Sequence, residues 1–122
     1  MILFLTALAG GAGGAARFTV DTAVNRRNKL TTPMGTQVIN VTACFLLGLL
    51  AGYTGAHLGN DSLYSVLGVG LMGGYSTFST ASVESARLLI TGRWRAGIVH
   101  ALTMVVVSYL AAIAGLFAGG LL

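Results

Sequence analysis

Four apolar stretches, each long enough to cross a bilayer as a helix, occupy almost the whole of this 122-residue chain. They run over about residues 1–20, 34–55, 62–90 and 96–122, and little chain is left beyond the connections. A crossing takes about 20 predominantly apolar residues. Inside hydrocarbon every backbone N–H and C=O must find a partner within the structure, so runs of this kind fold as helices. The expected fold class is therefore an all-α membrane protein, one transmembrane domain over residues 1–122 with four helices. Only 8% of residues are charged and 55% are hydrophobic, which excludes a water-facing surface of ordinary composition. Met1 to Ala16 carries no charge and runs on helically past Arg17, unlike a cleaved leader, so the first segment is expected to be retained.

The connections are short and their charges lie on one side. Arg26, Arg27 and Lys29 fall in the first connection and Arg93 and Arg95 in the third, with Arg17 and Arg87 on the helices leading into them. The second connection, around Leu58-Gly59-Asn60-Asp61, reads as a tight turn without a basic residue. Lys and Arg in short loops stay in the cytoplasm, so the chain is expected to be a multi-pass protein of the cell membrane with both termini outside. The same placement explains a net charge of +4 without nucleic acid, which is not expected as a partner. The one cysteine, Cys44, sits in an apolar run, is expected to pack, and says nothing of redox compartment.

Segment three is longer than one crossing needs, and its middle, GLMGGYSTFSTAS, is the densest polar and glycine stretch in the chain. Irregular backbone at membrane depth survives only where it is buried in protein or lines a cavity. A break at Gly73-Gly74-Tyr75-Ser76-Thr77 would present free carbonyls, which suit a small cation. An unbroken helix, with hydroxyls bonded to the preceding turn and glycines serving close packing, fits the same residues. Phe78 among Thr77, Ser79, Thr80 and Ser82 could turn its positive ring edge to an anion, or simply pack. Asn40 in segment two could donate its amide to an anion, or bond a neighbouring helix. On segment four, His100, Met104 and Ser108 recur every four residues and share a face. Arg17 and Glu84, at matching ends of segments one and three, are expected to form a structural ion pair rather than act directly in transport. Glycines at 10, 11, 13 and 14 and at 68, 70, 73 and 74 point to close helix contact. No metal-spaced cluster, nucleophile elbow or phosphate loop is present, so an enzyme is not expected.

Four strings resemble the Fluc/CrcB family of fluoride channels: GGAARF closing segment one, GTQVINVTACFLLG opening segment two, GLMGGYSTFSTASVE in segment three, and a central serine in segment four. They span nearly the whole chain. The resemblance implies antiparallel dimers whose broken third helices cross near the midplane, bind a structural sodium ion through backbone carbonyls and flank two fluoride pores. Carried to this chain, it implies sodium on the carbonyls of Gly73 and Ser76, and fluoride passing Asn40, Phe78, Thr77, Ser79 and Ser108. Two positions depart from the family pattern. Ala81 stands where a second phenylalanine is usual, and Met104 where a tyrosine or asparagine is often found.

The expected function is a subunit of a passive, fluoride-selective channel that lowers cytoplasmic fluoride. Fluoride is small and strongly hydrated, so a narrow route with a few strong donors suits it better than a wide basic pore. A small multidrug or guanidinium exporter would need a carboxylate in the middle of segment one, where this chain has only glycine and alanine; a non-conducting assembly subunit is the other rival. Seven basic residues on one side against none on the other do not suit a chain that inserts both ways. The antiparallel partner is therefore expected to be a related second chain, with a dual-topology homodimer as the alternative.

Overall fold

The computed structural model describes residues 1–57 and 61–122 and is helical almost throughout. The turn expected around Leu58-Gly59-Asn60 lies outside the described residues. Helix α1 is Ile2–Arg27 and α2 is Gly35–Ala56. Segment three begins as α3, a continuous helical run of Asp61–Leu63, the wider π-wound Tyr64–Met72 and Gly73–Tyr75. After a break it resumes as α4, Phe78–Ile90, and α5 is Trp94–Gly120. Three of these, α1, α2 and α5, are each long and apolar enough to cross a membrane unbroken.

Helix α1 continues past the expected end near Val20 to Arg27. Its polar last turns hold themselves together: the Asn25 amide donates to Asp21 at 2.9 Å, and Arg26 and Arg27 sit where a helix terminus favours positive charge. Asn25 also reaches forward, its Oδ1 accepting from the Gly35 N–H at 3.2 Å, so one side chain closes α1 and starts α2. At the other basic end, Gly92 takes φ +79° after α4, the left-handed turn that glycine permits. Arg93 then donates to the carbonyl and the hydroxyl of Thr31, both at 2.7 Å, which ties the first and third connections together at one end of the bundle.

Packing is backbone against backbone. The most extensive interface joins α2 and α5, where a Cβ at Gly48 or Gly52 would overlap the carbonyls of Ala112 or Leu116, and one at Gly115 or Gly119 those of Phe45 or Leu49. The two helices interlock through reciprocal small residues, as intramembrane contacts do where side-chain bulk would hold them apart. Helix α1 packs on α3 in the same manner: a Cβ at Gly13 would meet the Leu71 carbonyl and one at Gly74 the Gly10 carbonyl. Gly11, Gly14 and Gly73 face open space instead.

The partners divide at the break. Helix α3 lies against α1, whereas α4 lies against α5.

Candidate functional site

Segment three parts at Ser76 and Thr77, both in extended conformation with ψ 159° and 117°. Two things hold the chain in that shape. Thr77 is the N-cap of α4, its hydroxyl accepting from the Thr80 N–H at 3.3 Å and donating to the Thr80 hydroxyl at 3.0 Å. Asn40 of α2 brackets the same residue: its amide donates to the Thr77 carbonyl at 2.8 Å, and its Oδ1 accepts from the Thr77 N–H at 2.8 Å. A side-chain amide thus takes over the backbone bonds that the lost helical turn would have made. The Thr77 N–H, which would otherwise close a turn on the Gly73 carbonyl, is diverted to Asn40.

A groove of about 460 Å³ opens beside the break, lined among others by Asn40, Ser76, Thr77, Phe78, Met104 and Ser108. Six residues that the sequence singled out from segments two, three and four therefore meet at one place. Asn40 has a second amide proton, which points to the Met104 sulfur at 3.1 Å, a weak acceptor. The Ser108 hydroxyl is buried without a hydrogen-bond partner among the described residues. Ser79 stands at the margin, its hydroxyl 3.3 Å from that of Thr77. Phe78 is 85% exposed and packs on little within this chain. Ala81 also lines the groove and is buried at its wall. The start of α4, the positive end of a 13-residue helix, falls at the same point. Hydroxyls, an amide, a ring edge and a helix N-terminus converge in a mainly apolar recess, an arrangement suited to a small anion that has shed water.

For a cation the donors are main-chain oxygens. Among the described residues no three His, Cys or carboxylate side chains come together. The carbonyls of Gly73 and Ser76, at the C-terminal end of α3, are hard oxygen donors of the kind that suits sodium. The Ser76 carbonyl also accepts from Arg17 Nη1 at 3.4 Å.

That bond corrects the expected pairing of Arg17 with Glu84. Arg17 belongs to α1, which meets α3 before the break, while Glu84 belongs to α4, which turns toward α5. Glu84 is engaged elsewhere: Thr36 of α2 donates to its Oε1 at 2.8 Å, and His100 Nε2 of α5 lies 3.5 Å from its Oε2. Thr36 was not distinguishable in the sequence from the many other hydroxyls. Its one signal was position, since it precedes Asn40 by four residues and so shares its helix face.

The chain matches the family model described as CrcB-like protein, Camphor Resistance (CrcB), over residues 4–116. It is 44% identical over 120 residues to the fluoride-specific ion channel FluC 2 of Cutibacterium acnes, covering 98% of each protein. It is 38% identical over 121 residues to the fluoride-specific ion channel FluC 1 of Leifsonia xyli subsp. xyli, covering 99% of this chain and 88% of that one. With the fluoride-specific ion channel FluC of Caulobacter vibrioides it shares 42% identity over 120 residues, covering 96% of this chain and 91% of the other.

Proposed function

This chain belongs to the CrcB family, and from that premise we propose that it is a membrane-embedded subunit of a fluoride channel whose conduction route runs through the groove at the break in segment three. It is not an enzyme. The observation that carries the route is the convergence of Asn40, Thr77, Phe78 and Ser108 on one apolar groove at the start of α4. A fluoride ion entering it exchanges water for the Thr77, Ser79 and Ser108 hydroxyls, the edge of the Phe78 ring and the positive end of α4. The Asn40 proton now resting on the Met104 sulfur is free to turn to a better acceptor, while the other stays on the Thr77 carbonyl.

The functional unit is an antiparallel dimer. The exposure of Phe78 and Gly73 beside the break supports a second chain covering that face near the membrane midplane. At that crossing a sodium ion fits the carbonyls of Gly73 and Ser76 with their counterparts across the dimer, where it supplies the positive charge that holds two helix C-terminal ends together. The Ser76 carbonyl has two lone pairs, so the bond from Arg17 does not exhaust it.

The partner is a related chain of opposite charge bias. The tie between Arg93 and Thr31 supports a shared cytoplasmic location for the two basic connections, with both termini outside, and all seven basic residues belong to the helices and loops of that side. Ala81, small where the family carries a ring, agrees with a dimer in which the partner completes one good pore. Fluoride and chloride efflux from liposomes containing the chain, alone and with its partner, tests this reading: fluoride should pass far faster than chloride without a proton gradient or ATP, and equal efflux of the two would refute it.

A further inference from the structure

One turn beyond the groove, on each of the three helices that form it, the same polar face continues. Thr36 precedes Asn40 by four residues on α2, His100 precedes Met104 by four on α5, and Glu84 follows the groove residue Ala81 by three on α4. These three side chains meet. Thr36 donates to one carboxylate oxygen of Glu84 at 2.8 Å, and the other oxygen lies 3.5 Å from His100 Nε2, too long for a hydrogen bond. Both facing atoms are buried without a hydrogen-bond partner among the described residues, and His100 is only 3% exposed.

On its far side His100 lines a second groove, of about 430 Å³, with Gln37, Thr103 and Arg95 near the basic end of the bundle. The cluster therefore stands between an outer recess that carries a positive charge and the inner groove at the break. Asp21 of α1 is the other carboxylate whose field reaches Glu84; from α2 it is Thr36 that donates to it, and on α4 the cation Arg87 follows Glu84 by three residues.

Resting on the reading of the chain as a fluoride channel, we propose that Glu84 and His100 form a proton-operated charge gate on the conduction route. With the imidazole neutral, an ionised Glu84 sets an uncompensated negative charge beside the path and opposes fluoride. When His100 takes up one proton from the Arg95 recess, its Nε2–H closes on the Glu84 Oε2 and the pair sums to zero. Fluoride then meets no net charge between the two grooves. Loss of the proton to the same recess restores the barrier. Histidine is the side chain whose charge changes most readily near neutral pH. Thr36 is a positioning residue, fixing the carboxylate so that only its second oxygen faces the ring.

The test uses the reconstituted channel, with its partner chain where one is needed, at equal pH on both sides and after subtraction of the leak from protein-free vesicles. Fluoride efflux of the wild-type protein should rise about tenfold between about pH 8 and about pH 6. Glu84→Gln removes the charge while keeping an acceptor for Thr36, and should give the high rate at both values. His100→Gln keeps the charge and cannot neutralise it, and should give the low rate at both. A wild-type rate that stays flat, or a pH dependence that survives in His100→Gln, overturns the gate while leaving the fluoride channel standing. Absence of fluoride efflux under every condition would instead count against the channel reading. The gate then stands or falls on a readout independent of flux. The Nε2–H proton of His100 in the magnetic resonance spectrum at about pH 6 should lie downfield in wild type relative to Glu84→Gln, as a charge-assisted hydrogen bond requires. An identical His100 Nε2–H signal in the two proteins would overturn the coupling.

Discussion

Replacing Asn40 by alanine strikes the fold and the route at one point, and the size of the effect follows from what Asn40 holds. Its amide makes two bonds of 2.8 Å to the backbone of Thr77, and among the described residues no other side chain bonds to either group. A buried backbone group left unpaired costs about 1–3 kcal/mol in water-soluble proteins. Hydrogen bonds between membrane helices average about 0.6 kcal/mol and reach about 1.7, so the pair is worth about 1–3 kcal/mol here. That is less than the stability of a typical domain, and the variant should still fold. The loss falls on the break itself, so hydrogen exchange at the Thr77 amide should quicken by about 10- to 100-fold, while amides of α2 and α5 stay protected by their glycine interlock. Fluoride efflux should drop at least as far, because the hydroxyls of Thr77 and Ser79 lose their fixed positions. Asn40→Asp sharpens the comparison: it still accepts from the Thr77 N–H, but it cannot donate to the carbonyl and it carries a charge that opposes an anion. Protection at Thr77 and fluoride efflux both unchanged in Asn40→Ala would refute the bracketing role.

Other consequences follow from the same geometry. Gly115→Ala drives a methyl group into the Phe45 carbonyl and should lower stability by about 1–3 kcal/mol in reversible detergent unfolding, whereas Gly11→Ala, which meets open space, should change it by less than about 0.5 kcal/mol. Ser108→Ala removes a buried hydroxyl that has no hydrogen-bond partner among the described residues; fluoride efflux should fall with no loss of stability, and an unchanged rate would take Ser108 off the route. Exchanging sodium for a large organic cation should lower the thermal stability of the assembled dimer, and equal stability in the two salts would remove sodium from the account. In a background without Cys44, a cysteine at Asn28 should react only from the cytoplasmic side of intact cells, and labelling from both sides would overturn the single orientation.

Much of the helical plan was legible because length and hydropathy alone decide it: four apolar runs can do little else in a bilayer. The break was legible only as a concentration of glycine and hydroxyl residues. Where it falls depends on Thr77 acting as an N-cap and on Asn40, far away in sequence, being rotated to face it. Pairings between helices were the least readable. Arg17 and Glu84 matched in depth, yet each helix turns its residues by about 100°, and the division of segment three sends one to the Ser76 carbonyl and the other to Thr36 and His100. The reciprocal glycines of α2 and α5 were equally hidden, since a glycine in an apolar run shows its purpose only against the backbone it meets.

Cys44 offers the most direct test that the groove at the break carries fluoride, because it is the only cysteine and it lines that groove. A small methanethiosulfonate reagent is applied to the reconstituted channel, attachment at Cys44 is measured by mass, and fluoride efflux is followed in the same sample. Efflux should fall in proportion to the fraction modified, fluoride should slow the modification, and Cys44→Ala should be insensitive to the reagent. Full modification of Cys44 with fluoride efflux unchanged would contradict the account.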